Sequence, residues 1–179
     1  NTIVDDFVIG MKVREQGFRM VYEPHAVACE EPAPGMSGEW TRRIRIGAGD
    51  FQSLVLCRKC LSPRYGRFAW MFWSHKVLRW FTPHLILFLL ALGVIGALWP
   101  NPPGIARALS AAVLGGTAVF LLLASVGRGL RGRRDAFSAV FRLCDYFLVM
   151  HAALFAGFLR FCRGGRSGSW TRTERQSVG

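Results

Sequence analysis

Two long uncharged segments constrain this chain more than any other feature of its sequence. Residues 80–99 contain one ionisable side chain, His84, and residues 108–126 contain none. A helix rises about 1.5 Å per residue, so about 20 residues cross the roughly 30 Å hydrocarbon core of a bilayer. The prolines within residues 100–104 prevent one helix from continuing through both segments. We therefore expect two transmembrane helices joined by a short turn, in an integral membrane protein.

Residues 136–161 are a third candidate span, which Arg142 and Asp145 interrupt. Only residues 146–159 are uncharged, and 14 residues are short for an independent span. The two charges stand i, i+3 on one helical face, where they could pair. Two interpretations remain open: a structural ion pair near the membrane interface, or a polar lining for a channel or a lipid headgroup site.

The basic charge indicates a membrane partner and an orientation. The formal net charge is +12, and basic residues beside long apolar segments are typical of contact with anionic lipid headgroups, not with nucleic acid. Residues 127–135 contain four arginines, against one in residues 100–107. The positive-inside rule therefore predicts that residues 127–135 and 1–79 are cytoplasmic. The basic tail, residues 163–179, also favours the cytoplasmic side. A third complete span would instead place this tail outside, so the orientation of residues 136–161 stays open.

The residues before the first span divide into two parts. Residues 62–80 interleave tryptophan and phenylalanine with arginine, histidine and lysine, which predicts an amphipathic helix in the headgroup region. The alternative is a buried aromatic helix in a soluble core. The preceding part is predicted to contain a helix over residues 3–16, short strands over 18–22 and 25–29, a loop over 31–38, and a helix from Glu39 towards Leu61 that Gly47 and Gly49 could bend.

The five cysteines give no regular framework for disulfides or zinc. Cys57 and Cys60 form a lone CxxC, and a four-ligand zinc site needs a second pair that the sequence does not supply. Plain cytosolic thiols and a redox pair are both compatible with this spacing. We therefore assign no metal ligand among the cysteines.

Asp5 and Asp6 form an acidic pair, and Asp6 stands 11 residues ahead of Gly17. Alone, two acids at the start of a helix need no functional explanation, because each can stabilise the helix dipole by about 0.3–1 kcal/mol. The residues after the pair form a more specific pattern: a helix, a glycine–aromatic pair, and a segment that ends in Tyr-Glu-Pro at residues 22–24. In this order the residues resemble the acceptor-side acidic motif of membrane-bound family 2 glycosyltransferases, the superfamily of cellulose, chitin and hyaluronan synthases.

A second motif of the same family has a partial match downstream. Membrane-linked members carry Gln-x-x-Arg-Trp, followed by a glycine three residues later and a glutamine three residues beyond it. Arg45, Gly49 and Gln52 stand at the arginine, glycine and last glutamine positions. Arg42 replaces the first glutamine and Ile46 replaces the tryptophan. Because Ile46 offers no ring for a sugar to stack on, the resemblance favours addition of one or a few sugars over synthesis of a long polymer.

The resemblance implies a role for each matching residue. Asp6 would be the general base that takes the proton from an acceptor hydroxyl as its oxygen attacks the anomeric carbon of a nucleotide-activated sugar, with inversion. Asp5 would place a like charge beside it. Arg45, with Arg42 and Gln52, would bind substrate, since a guanidinium suits bidentate contact with a diphosphate.

The resemblance also implies an architecture. Residues 1–61 would be the α/β remnant of a GT-A type glycosyltransferase domain, and an interfacial helix (62–80), a mostly α-helical transmembrane region (81–162) and a basic tail (163–179) would come after it. The nucleotide-binding half, with an Asp-x-Asp motif for Mg²⁺ or Mn²⁺, would precede these residues, so this chain would be a fragment that is inactive alone and holds no ligand of that metal. The implied partners are a nucleotide-sugar donor, a saccharide or lipid-linked acceptor, and the lipids of a bacterial inner membrane, with the catalytic part in the cytoplasm.

A hypothesis from a different class is a small membrane transporter or scaffold with a cytoplasmic domain. It would use Arg142 and Asp145 as polar elements of a pathway. Two or three spans with no visible internal repeat are few for a transporter without oligomerisation.

Overall fold

The computed structural model describes residues 2–28, 35–133 and 135–164, and these residues are mostly helical. The helices are α1 (Asp5–Glu15), α2 (Gly35–Leu56), α3 (Arg67–Phe72), α4 (Leu78–Leu98), α5 (Gly104–Gly129) and α6 (Ala136–Cys162). Two 3₁₀ turns, Arg58–Leu61 and Pro63–Tyr65, come after α2, and a π-helical turn, Trp73–Val77, joins α3 to α4.

The predicted α/β remnant is wrong, because no strand occurs among the described residues. Residues 18–22 are exposed and have no regular secondary structure. Their alternating β-rich pattern is compatible with a strand, but a strand is stable only when a neighbouring strand satisfies its backbone N–H and C=O groups. Residues 25–28 likewise form no strand, and Cys29, the end of the second predicted strand, lies outside the described part.

The predicted helix from Glu39 is longer at its start and shorter at its end. It begins at Gly35, within the predicted loop of residues 31–38, and ends at Leu56; residues 31–34 are outside the described part. Gly47 and Gly49 do not interrupt this helix. Because these glycines lack side chains, other segments of the chain can approach the backbone of α2 closely.

The described chain divides into two compact units, one containing the residues up to Trp80 together with those from Ala153, and the other containing Phe81–Ala152. In the first unit the last third of α6 packs against α2. A Cβ added at Gly157 would lie 2.8 Å from the backbone nitrogen of Ala48 and from the backbone oxygen of Ile44. One turn further along α2, the rings of Phe51 and Phe158 meet edge to face at 4.9 Å. Glycine at position 157 therefore sets the distance between these two helices.

The second unit contains two close helix pairs. Gly93 and Gly96 of α4 lie against Val113 and Ser110 of α5, which fixes an antiparallel hairpin. Gly127, near the end of α5, lies against the backbone of α6 at Phe141, where a Cβ would have no room. Small residues at such crossings are typical of helices that pack in membranes.

Within the part of the chain that the structure describes, three helices are long and apolar enough to cross a membrane: Arg67–Leu98, Gly104–Gly129 and Ala136–Cys162. Their best windows have mean hydropathies of 2.2, 2.1 and 1.5, and most of their large apolar side chains are exposed. Such exposure is unfavourable in water and suits contact with lipid. The prediction of transmembrane helices is confirmed in length and composition. The third segment, residues 136–162, meets the same criteria as the first two.

Arg142 and Asp145 do not form the ion pair that their i, i+3 spacing allowed. Asp145 is bound by Arg131, from the segment after α5. Arg142 instead donates a hydrogen bond to Ser138 Oγ at 2.6 Å, one turn earlier on α6. Asp145 is buried towards α5, so an arginine from outside α6 reaches it better than one on its own helix.

The contact between α2 and α6 gives a stability prediction. We expect Gly157→Ala to lower the unfolding free energy of the detergent-solubilised protein by about 1–3 kcal/mol, because a methyl group there overlaps the backbone of α2. The matched control is Gly115→Ala on α5, where an added Cβ meets nothing within 4 Å and helix propensity favours alanine. Thermal unfolding measured by circular dichroism compares the two. Equal melting temperatures would contradict the close crossing.

Candidate functional site

The backbone immediately before the acidic pair is anchored to α2. The backbone N–H of Ile3 donates a hydrogen bond to Gln52 Oε1 at 3.0 Å, and Gln52 is only 9% exposed. One turn earlier on α2, Gly49 faces Ile3 and Val4 so closely that a Cβ at Gly49 would overlap the Val4 side chain. The second motif therefore contacts the residues directly before the acidic pair, although 49 residues separate Ile3 from Gln52.

The residue immediately after the acidic pair is anchored as well. The Phe7 ring packs against Phe72 and Trp80, with ring centroids 5.9 Å and 5.8 Å away, and both partners are buried. Lys76 Nζ lies 5.1 Å from the centroid of the same ring, a cation–π contact. The π-helical turn at residues 73–77 lies between these contacts, and such turns are frequent at functional sites.

Asp5 and Asp6 are exposed in the first turn of α1. Val4, at the N-cap, supplies no side-chain cap, and the N–H of Asp6 donates to Asp5 Oδ1 at 3.1 Å. Acidic groups here stabilise the positive end of the helix dipole. The pair thus consists of two accessible carboxylates on a backbone that is fixed on both sides. This position is compatible with the general-base role that the resemblance implies for Asp6, which stays a prediction.

The predicted substrate-binding residues share one face of α2. At about 100° per residue, Arg42, Arg45, Gly49 and Gln52 fall within one stripe, and Gly49 and Gln52 at its end contact the segment before Asp5. Arg45 is half-buried, one turn before Gly49. Arg42 is exposed, with Nη1 3.7 Å from Glu39 Oε2.

The structure thus brings Gln52 close to the acidic pair, whereas Arg42 lies at the far end of the stripe. Gln52 Oε1 is occupied by the Ile3 N–H, which gives this side chain a positioning role. Its contact with substrate stays a prediction.

Asp50 is a residue that the sequence motifs do not single out. It is partly buried on α2, and burial raises its pKa to about 7, against the opposing charges of Arg79 and Lys76. Lys76 is the same cation that contacts Phe7, so Asp50 belongs to the surroundings of the acidic pair. The only sequence signal for this acid is its position between Gly49 and Phe51. The two cations near it, Lys76 and Arg79, are more than 25 residues away along the chain.

The CxxC thiols are buried, and burial raises the pKa of Cys57 to about 11 and that of Cys60 in the same direction. Cys60 Sγ donates to the Met11 carbonyl oxygen at 3.7 Å, which ties the turn after α2 to α1. A thiol with a raised pKa is a poor nucleophile at neutral pH. The observed contacts are those of packing residues, and they lend no support to a redox pair.

A divalent cation has no suitable set of ligands within residues 2–28, 35–133 and 135–164, where no group of three or more His, Cys, Asp or Glu side chains could hold one. No protein-family model, curated protein or solved structure matches this chain. The chain's coarse class is that of a helical protein with helices long and apolar enough to span a membrane.

Asp50 gives a pH prediction with a defined sign. Its folded pKa of about 7 lies above the ordinary value of 3.8, so between these values the folded chain binds more protons than the unfolded chain. The contribution of Asp50 to the unfolding free energy therefore falls as the pH rises towards 7. Above pH 7 this contribution no longer changes with pH. We expect the unfolding free energy to drop by on the order of 1–3 kcal/mol between pH 5 and pH 8 because of Asp50.

Asp50→Asn should remove that part of the pH dependence, raising the melting temperature at pH 8 relative to the unmodified protein. Asp135→Asn is the control, because Asp135 is exposed and asparagine caps a helix as well as aspartate does. Thermal unfolding at the two pH values tests the assignment. A melting temperature of Asp50→Asn that falls by as much as the unmodified protein's between pH 5 and pH 8 would refute it.

Proposed function

We propose that this chain carries the acceptor-side site of an inverting glycosyltransferase that moves a sugar from a nucleotide-sugar donor to a saccharide or lipid-linked acceptor at the cytoplasmic face of a bacterial inner membrane. The observation that carries the proposal is the contact between the second motif and the residues directly before the acidic pair. Gly49 and Gln52, two of the three residues that match the second motif, contact Ile3 and Val4.

The chemistry depends on the accessible carboxylates. Asp6 accepts the proton of an acceptor hydroxyl while the hydroxyl oxygen forms a bond to the anomeric carbon of the donor sugar. The bond between that carbon and the nucleotide diphosphate breaks on the opposite face, which inverts the anomeric centre, and the diphosphate leaves with the bonding electrons. Asp5 places a second carboxylate beside the base.

Arg45 and Arg42 supply positive charge along the stripe of α2 that ends at the acidic pair. A diphosphate carries several negative charges, and guanidinium groups bind it through paired N–H donors. In this arrangement the arginines bind the donor's leaving group or a charged acceptor, while Gln52 fixes the backbone that bears Asp6. Mg²⁺ or Mn²⁺, which the resemblance implies, would neutralise the same diphosphate through ligands outside these residues, such as an Asp-x-Asp motif in a donor-binding region.

The position of the acidic pair favours an acceptor that lies at the membrane. Phe7, next to Asp6, contacts the helix Arg67–Leu98, which is itself long and apolar enough to span. Ile46 replaces the aromatic ring of the family motif, so the site lacks a stacking surface for a growing polysaccharide at that position. A single transfer to a lipid-linked acceptor fits both observations.

The test is Asp6→Asn in the full-length gene product, assayed in membranes with a panel of labelled nucleotide sugars. Loss of the general base should reduce transfer by about 10²–10⁴-fold and leave donor binding unchanged, as measured by equilibrium binding of the labelled nucleotide. Asp135→Asn, an exposed acid-to-amide change just before α6, controls for general effects of removing a carboxylate and should retain full transfer.

Two outcomes would overturn the proposal. Transfer by Asp6→Asn at a rate near that of the unmodified protein would remove Asp6 from the mechanism. Failure of the unmodified protein to bind any nucleotide sugar, in membranes where it is folded, would remove the enzyme assignment.

A further inference from the structure

A cluster of arginines surrounds one buried carboxylate where α5 ends and α6 begins. Asp145 of α6 is 3% exposed. Arg131 brings Nε to 2.6 Å and Nη2 to 2.5 Å of Asp145 Oδ2. Arg128 brings Nε to 3.5 Å of Asp145 Oδ1, an oxygen that is buried and makes no hydrogen bond to the described residues. One carboxylate thus lies within ion-pair distance of two guanidinium groups and hydrogen-bonds one of them, that of Arg131.

A third guanidinium is fixed beside them. Nη1 of Arg142 donates to Ser138 Oγ at 2.6 Å and to the backbone oxygen of Arg133. Ser138, Arg142 and Asp145 are spaced i, i+4, i+7 and share one face of α6. Within the described residues, the structure gives no acceptor to the remaining N–H groups of Arg142 or to the Nη groups of Arg128, whose side chain is 64% exposed.

The charge of this arginine cluster is not balanced. Four described arginines (128, 131, 133 and 142) stand against two aspartates (135 and 145), which leaves a net charge of +2. Asp135 is occupied in capping α6, since it accepts hydrogen bonds from the Ser138 N–H at 2.8 Å and from Ser138 Oγ at 3.0 Å. The remaining positive charge favours binding of an anion at this cluster.

We propose that Arg128 and Arg131, which pair with Asp145, and Arg142, which Ser138 holds, bind the phosphate of an anionic membrane lipid. Fixed guanidinium groups suit phosphate oxygens because each offers two parallel N–H donors. Arg128 lies in the last turn of α5, a helix long and apolar enough to span, which corresponds to the depth of the lipid headgroups.

The apolar surroundings favour a lipid over a soluble phosphate. Phe137, Val140 and Leu143 stand within five residues of Arg142 on α6, on other faces of the helix, and each is more than 60% exposed. Acyl chains around α6 suit these side chains, whereas a lipid phosphate suits the arginines. Inorganic phosphate would leave the apolar side chains exposed.

The experiment is a titration of the purified full chain in detergent with phosphatidylglycerol or phosphatidylcholine, with bound lipid counted by native mass spectrometry. We expect preferential binding of phosphatidylglycerol by the unmodified protein. Arg128→Gln should weaken that binding roughly tenfold, the effect of losing one charge-assisted contact. Arg131 still binds Asp145 in this variant, so the fold should be retained.

The matched control is Arg107→Gln, which removes the same charge from the first turns of α5, at the other end of the helix from Arg128. It should change phosphatidylglycerol binding less than twofold. The proposal is overturned if Arg107→Gln weakens binding as much as Arg128→Gln, since the effect is then one of net charge. It is also overturned if the unmodified protein binds both lipids equally, a comparison that needs no variant, or if inorganic phosphate displaces phosphatidylglycerol.

Discussion

The close approach of other backbones to α2 is the constraint on which the first unit depends. Gly47 and Ala48 lie on the face of α2 that meets Gly157 of α6, and Gly49 lies on the face that meets Ile3 and Val4. A larger side chain on either face would push one neighbour away. Because α2 is held by α6 on one face, its other face is a fixed platform for the residues before Asp5. The position of the backbone immediately before the acidic pair is a consequence of this packing.

The membrane part of the fold could be predicted because hydropathy depends on the segment itself. Residues 80–99 and 108–126 are apolar throughout, whatever they pack against, so their lengths alone indicate spans. Residues 136–161 are harder to interpret, since Arg142 and Asp145 interrupt them. The charge of Asp145 is balanced by Arg131, on the segment after α5. No local pattern in α6 could reveal that partner.

The prediction of strands is wrong because strand formation, unlike hydropathy, depends on other parts of the chain. Residues 18–22 have the composition of a strand, but strand formation depends on a partner that the local sequence does not specify. The sequence motifs name candidate site residues, but they predict neither Asp50 nor the contacts among these residues. The spacing of Asp6, Gly49 and Gln52 indicates related motifs, whereas the hydrogen bond from Ile3 to Gln52 and the packing of Phe7 on Trp80 exist only in the folded chain.

Asp50 and Asp145 are both withdrawn from solvent, yet their surroundings lead to different behaviour. Asp145 has guanidinium nitrogens of Arg131 within hydrogen-bond distance, so its negative charge is matched at close range. Asp50 has Arg79 and Lys76 near it, but these cations act on it through charge alone and do not offset burial, which raises its pKa to about 7. A buried carboxylate either gains close partners or becomes protonated. Asp145 is therefore the ion-pair partner within the arginine cluster, whereas Asp50 on α2 changes its charge near neutral pH.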